Sequence, residues 1–383
     1  MSRRKIDPNP QGQTAPAKRA GTLTSADRKL LALCLGMTIA AGIFHNSGGS
    51  PVVSFVSSAL ALATLASLVG RSVEALGDRL GAGATGVLQS FLANLPEIFV
   101  ILFSLKAGLY EVVKATIVGS ILANVLLIAG LAFFLGGIKH GRQHFDPVAS
   151  RQLGLLLVLS VFVLSVPTLT SALHTPAAAH ERTVTIAVSI ALLTLFIASL
   201  PETLRRGKHQ SPITGSNEAL AAKSQAGHHG EWPLSLAIFM LAISGLGAAL
   251  VSDWFVIALT PAMETLHISQ AFAGLIIVAI AGNAVENVVG IQLAMKNQSE
   301  YALQVILQSP VQVAMIVAPM IALAAPLVGA ASFTLVFTPL LLGVLFMSTF
   351  TAATVVSDGD STWFEGATLL ALYSAIAVSF WWG

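Results

Sequence analysis

Leu92-Ala93-Asn94-Leu95-Pro96-Glu97 and Ala281-Gly282-Asn283-Ala284-Val285-Glu286 lie 189 residues apart, each an Asn-x-x-Glu set in an apolar run. The same shift carries Glu111 onto Glu300 and Ser120 onto Ser309. Four polar identities in one register are more than chance supplies where only 10% of residues are charged. The two halves read as descendants of one ancestral unit.

Outward from these segments the chain stays apolar. Of 383 residues, 55% are hydrophobic and only 10% charged, against the roughly 25% charged content of an ordinary soluble domain. Windows of about 20 apolar residues predict an all-α polytopic membrane protein of eleven helices. Their limits are 30–45, 52–70, 83–106, 111–138, 151–170, 182–200, 233–251, 270–295, 300–325, 331–351 and 362–382. The organisation predicted is a basic cytosolic tail (1–29), a first transmembrane helix (30–50), one five-helix unit (51–202), a cytoplasmic linker (203–232) and a second five-helix unit (233–383). The tail, with Arg3, Arg4, Lys5, Pro8 and Pro10, is too long and polar for the start of a signal peptide and reads as solvated chain.

Placing the tail in the cytoplasm puts 17 of the 20 Lys and Arg on that side, leaving Lys106, Lys114 and Arg182 opposite. That bias follows the positive-inside rule and sends the C-terminus to the other side. The Glu97 helix is then third and runs outward, whereas the Glu286 helix is eighth and runs inward. Equivalent helices crossing in opposite senses are the inverted repeat of a secondary transporter, whose site lies near the bilayer midplane between the repeats. A net charge of +2 spread over loops implies no nucleic-acid partner, and the single Cys34 excludes an internal disulfide or a multi-thiolate metal site.

A charged side chain at mid-membrane costs roughly 2.5–3.5 kcal/mol on insertion scales, so a carboxylate there is usually kept because it binds something. For one Glu, a protonated acid satisfied by a helix–helix hydrogen bond is a real alternative. Two at matched positions, each three residues after an Asn, weaken it. Pro96 removes a backbone N–H and frees carbonyls around Leu92 and Ala93, and Gly282 loosens the matching turn. Asn94 and Asn283 add amide oxygens, while Ser120 and Ser309 lie on the following helix of each half. The two serines serve equally as helix-packing residues. Two carboxylates with neutral oxygens suit Ca²⁺, which takes 6–8 oxygens in flexible geometry; Mg²⁺ dehydrates reluctantly and Zn²⁺ prefers His or Cys. Two carboxylates sharing one site titrate together, so H⁺ and Ca²⁺ displace one another.

At these residues the sequence resembles the CAX-type H⁺/Ca²⁺ exchangers of the Ca²⁺/cation antiporter superfamily. Gly282-Asn283-Ala284-Val285-Glu286 is similar to that family's GNAxE motif, and Gly119-Ser120-Ile121-Leu122-Ala123-Asn124-Val125-Leu126-Leu127 to its GSILxNLLL stretch. Glu111-Val112-Val113-Lys114-Ala115 also looks like family sequence. The resemblance covers roughly residues 52–382 and implies an antiporter of Ca²⁺ and H⁺ working by alternating access, with no cofactor. It implies that Glu97 and Glu286 are the main calcium ligands, completed by backbone oxygens near Ala93 and Gly282. Asn94, Asn283, Ser120 and Ser309 would line the site, with Gln312 and Asn124 as secondary polar contacts. The first motif departs from the proton-coupled pattern: its Leu95-Pro96-Glu97 ending resembles sodium-coupled relatives, so Na⁺ stays open as the coupling ion.

Other features are weaker. Glu74 and Asp253 fall near opposite mouths, where they either recruit cations and relay protons or simply meet water and headgroups. His228-His229 in the linker reads as solvated loop, and Asp358-Gly359-Asp360 is too short for a calcium loop and reads as a turn. A cation channel would use the same Glu pair, but no repeated pore-loop sequence accompanies it. The absence of HExxH, GxSxG and Walker sequences argues against an enzyme. A bacterial inner membrane is the expected location.

Overall fold

The computed structural model describes residues 23–80, 92, 94–206 and 232–382, with the side chains of 74, 77–80, 200–206 and 285–287 outside the description. Residues 1–22 of the tail, 207–231 of the linker and Ala93 therefore lie outside the described residues, as do the side chains of Glu74 and Glu286. The protein is a polytopic helical membrane protein. Eight helices among the described residues are long and apolar enough to cross a bilayer, accompanied by the shorter apolar helices Gln270–Gly282 and Pro339–Val355.

In chain order the helices are α1 (Ser25–Asn46), α2 (Pro51–Leu80), α3 (Leu95–Lys106), α4 (Tyr110–His140), α5 (Pro147–Ala172), α6 (Glu181–Arg206) and α7 (Leu234–Leu266). There follow α8 (Gln270–Gly282), α9 (Ala284–Met295), α10 (Ser299–Val328), α11 (Pro339–Val355) and α12 (Trp363–Phe380). α1 starts five residues before the expected 30, inside the stretch assigned to the tail. The cause is a capping box, in which Thr24 Oγ1 accepts from Asp27 N and Asp27 accepts from Thr24 N. The segment expected as one helix over 270–295 is two, broken at Asn283. Of the one expected over 83–106, the described part starts as α3 after Asn94.

Elements recur at the 189-residue offset. α3 and α9 share both bounds, α4 and α10 start at Tyr110 and Ser299, and π-helical turns interrupt those two helices at Ala123–Ile128 and Val313–Val317. A left-handed residue ends each short helix, Gly108 at φ 76° and Asn297 at φ 58°. A third π turn, Ala273–Val278, lies in α8.

α4 and α10 form the centre, with Val112–Leu126 of α4 almost wholly enclosed. α1 is peripheral: Leu35, Ile39 and Ile43 are exposed, as on a lipid-facing surface. Most of the apolar core is one cluster around α4 and α10. A second joins α2 and α7, where Phe55 stacks on Phe255 with ring centroids 4.7 Å apart. α4 crosses α8 with backbones almost touching, because a Cβ on Gly274 would stand 2.8 Å from Ala115 Cβ and one on Gly119 would strike Leu275.

Asp27 fastens α1 to the bundle. Its carboxylate, 4% exposed, pairs with Arg71 Nε at 3.2 Å and accepts from Trp232 Nε1 at 3.0 Å, while Arg71 lies over the Trp232 ring. Asp27→Ala should cost about 3 kcal/mol of stability, the usual penalty for stripping one partner from a buried ion pair. Thermal melting of the purified protein measures it, and an unchanged midpoint would count against the contact.

Candidate cation site

α3 and α9 each start after an Asn that leaves helical geometry, Asn94 and Asn283, with φ/ψ of −87°/5° and −104°/17°. Pro96 falls in the first turn of α3, the one place a helix tolerates a residue without an N–H. Pro96 therefore fixes a helix start just before it. Glu97 is the third residue of α3 and Glu286 the third of α9. Each glutamate thus stands in the first turn of a short helix, where the free backbone N–H groups leave a partial positive charge. Neither Asn caps its helix with its side chain; both amides reach elsewhere.

Asn283 Nδ2 donates to Ser120 Oγ at 3.1 Å and to Ala279 O at 3.0 Å. Ser120 Oγ in turn donates to the Glu97 carboxylate. Asn124 Nδ2 donates to Ser120 O at 2.9 Å and to Ser309 Oγ at 3.3 Å, and Asn94 Nδ2 to Gln312 Oε1 at 3.3 Å. Three of these links, Asn283 to Ser120, Asn124 to Ser309 and Asn94 to Gln312, join one half of the chain to the other. Gly282 lies against Glu97: a Cβ there would be 3.4 Å from Glu97 Cβ.

The cluster is closed to solvent. Glu97 is 1% exposed, and Asn94, Ser120, Asn124, Asn283, Ser309 and Gln312 are all buried. On α3 the apolar neighbours divide, Ile98, Ile101 and Leu105 entering the large core and Val100 the α2–α7 cluster. At 100° per residue Glu97 falls on the seam between them. Asn124 sits in the π turn of α4, the kind of local irregularity that marks functional sites. Its Oδ1 is buried with no hydrogen-bond partner among the described residues. A buried amide oxygen left in that state is an open ligand position for a cation or its water. The residue at the matching position of α10 is Val313, so the amide is not duplicated.

Of the residues singled out from sequence, the structure thus gathers Asn94, Glu97, Ser120, Asn124, Gly282, Asn283, Ser309 and Gln312. Asp253 is half-buried on α7 beside Trp254, whose ring stacks on His45, and no hydrogen bond of the cluster reaches it. Glu111 and Glu300 are first-turn residues of α4 and α10; Glu111 pairs with Lys114, and Glu300 accepts from Asp146 N and Gln304. Gln308, an amide in mid-helix, is buried next to Ser309. No group of three or more His, Cys, Asp or Glu assembles among the described residues. The donors here are carboxylate, amide and hydroxyl oxygens, which suit a hard cation.

Comparison with known proteins places this chain among transporters. A family model described as sodium/calcium exchanger protein matches residues 50–201 and 236–382. The chain is 34% identical over 348 residues to the Ca²⁺/H⁺ antiporter ChaA of Bacillus subtilis (strain 168), covering 89% of this chain and 97% of that one. It is 31% identical over 353 residues to a Ca²⁺/H⁺ antiporter of Synechocystis, covering 88% and 92%. Among solved structures, native YfkE aligns with a TM-score of 0.75 at 29% identity, over 92% of this chain and 99% of that one. The H⁺/Ca²⁺ exchanger CAX, at 15% identity and a TM-score of 0.70 over 93% and 92%, shares the fold.

Proposed function

Because this chain belongs to the sodium/calcium exchanger protein family, we propose that it exchanges Ca²⁺ for H⁺ across a bilayer at a site built on Glu97 and Glu286. The relatives it matches over most of their length are named Ca²⁺/H⁺ antiporters, and it is a transporter of ions without a cofactor. The observation that carries the site is the hydrogen-bonded chain from Glu97 through Ser120 to Asn283, three residues before Glu286.

The fold we infer is eleven crossings, with α8 and α9 forming one and α3 ending another. It comprises one leading helix and two inverted five-helix repeats. The shared bounds, π turns and left-handed caps at a single offset support it, as do two matched blocks of the family model. The distribution of Lys and Arg supports a cytosolic N-terminus and a C-terminus opposite, and the bacterial relatives support residence in a bacterial inner membrane.

The mechanism follows from charge. With Ca²⁺ bound, two carboxylates balance the ion, and Asn94, Asn124, Asn283 and backbone oxygens near Ala93 and Gly282 add neutral ligands. As the ion leaves, protons neutralise the carboxylates, which otherwise face one another in a medium of low dielectric. Glu97 lies on the seam between two apolar clusters, so sliding one against the other exposes the site to alternate faces. Val313 at the position matching Asn124 supports H⁺ over Na⁺, since a proton needs no oxygen cage of its own whereas each Na⁺ does.

Reconstitution in sealed vesicles tests this reading. An imposed pH gradient should drive Ca²⁺ accumulation, and a Na⁺ gradient should not. Accumulation on Na⁺ alone would overturn the proton coupling. Passive Ca²⁺ flux that no gradient drives uphill would overturn exchange and favour a channel.

A further inference from the structure

α3 and α9 end in the same backbone turn: Gly108 N donates to Leu105 O, and at the matching place Asn297 N donates to Ala294 O at 3.0 Å. Among the described residues, α9 alone carries more. Lys139 Nζ and His140 Nε2 both reach Met295 O, at 2.9 and 2.8 Å, and Gln143 Nε2 donates to Ala294 O at 3.1 Å. A carbonyl oxygen only accepts, so Nε2 of His140 carries the proton in this contact. All three donors come from the other half of the chain, on the last turn of α4 and the loop after it. The residues at the matching positions on the opposite face are Val328, Gly329 and Ser332; Ser332 Oγ donates to Tyr110 Oη at 3.4 Å, and among the described residues no side chain of the three bonds to α3.

The cap is built. Gln143 is 1% exposed and packs on Gly136, where a Cβ would stand 2.7 Å from Gln143 Cδ. The loop holding it is itself pinned, with Gln143–His144 paired antiparallel to Asp360–Ser361, Arg142 on Asp360 at 3.1 Å, and Asp146 N on Glu300. Cationic side chains at a helix C-terminus also oppose its partial negative charge.

α9 needs such an anchor. It is 12 residues long, about 18 Å of rod, and the break at Asn283 frees its first turn from α8. With no continuous helix before it, the placement of Glu286 is inherited from the other end. Resting on the paired-glutamate reading above, we propose that Lys139, His140 and Gln143 are positioning residues for the exchange. By holding the cytosolic end of α9 they set the register of Glu286 and hence the affinity for Ca²⁺. Without the cap, the ion itself must order α9, and binding weakens.

The test is Ca²⁺-dependent exchange by the full-length protein in proteoliposomes. Gln143→Ala should raise the KM for Ca²⁺ about 3- to 10-fold with Vmax within about twofold, the range of a coupling through one intervening element. Gly136→Ala should act in the same direction by displacing Gln143. Lys139→Met, on an exposed side chain that packing does not need, should raise KM further in the Gln143→Ala background, and Lys139→Arg should not. Ser332→Ala, the matching site on the opposite face, should leave KM unchanged. An unchanged KM in the Gln143→Ala/Lys139→Met protein would overturn the proposal. So would an equal rise in Ser332→Ala, which would mark general loosening. Should Gln143→Ala fail to fold, Lys139→Met alone decides by the same criterion. Glu286→Gln separates the two readings. Loss of exchange there with normal KM in the cap variants removes only the anchor, whereas full exchange in Glu286→Gln removes the paired site beneath it.

Discussion

Glu97→Gln should abolish Ca²⁺-driven proton movement, lowering exchange by about 100-fold or more, while the protein still folds and reaches the membrane. The expected size follows from removing one charged partner of a buried ion contact, which costs on the order of 3 kcal/mol. Gln preserves the volume and an acceptor for Ser120 Oγ, so the hydrogen-bonded chain to Asn283 survives. What it removes is a negative charge toward Ca²⁺ and a group that takes up a proton when the ion departs. Glu286→Gln should give the same loss, since a divalent ion balanced by one carboxylate keeps an uncompensated charge in a medium that penalises it heavily. Vesicle assays of Ca²⁺-dependent pH change on both variants, with surface expression measured in parallel, decide the matter. Near-normal exchange by either variant would end the paired-carboxylate mechanism.

The second large effect is expected at Gly282. A single added carbon would already sit 3.4 Å from Glu97 Cβ and 3.5 Å from its Cγ, at the limit of comfortable contact. Gly282→Val adds two further methyls at the last turn before the break. The branched side chain either displaces Glu97 from Ser120 or pushes α8 from α3. Exchange should fall by at least about tenfold, the loss that follows when a reacting group is misplaced by about 1 Å. Gly245→Ala on α7, with nothing within 4 Å of the new carbon, should behave as the parent. Comparing the two by Ca²⁺ flux and thermal melting separates a local clash from a general intolerance of glycine replacement. A fully active Gly282→Val protein would mean that the halves do not meet where they are placed.

Much of this was legible in the residues. Apolar runs of span length announced a helical membrane protein because a bilayer permits little else. Asn94, Glu97, Ser120, Asn283 and Ser309 stood out because polar groups are expensive in those runs. The helix starts were less legible. Thr24 and Asp27 make a capping box that moves the start of α1 back to Ser25, inside a stretch whose composition reads as tail. A window 20 residues wide cannot register Asn283 as a break, since one residue of changed φ/ψ leaves the average hydropathy intact. Lys139, His140 and Gln143 lie just past the apolar window that ends at 138, and their partners are 151 to 156 positions away along the chain.

Hydropathy and spacing are properties of single segments, so the membrane-spanning helices and the 189-residue recurrence of Asn, Glu and Ser were already readable from the residues alone. Only the tertiary structure decided who meets whom: Ser120 with Glu97 and Asn283, Asn124 with Ser309, Gly282 against Glu97, and a cap on one short helix but not on its twin. The physical reason is that a hydrogen bond or a close packing contact depends on the relative placement of two segments to within about 1 Å. That placement is set by how every helix packs, not by either segment alone.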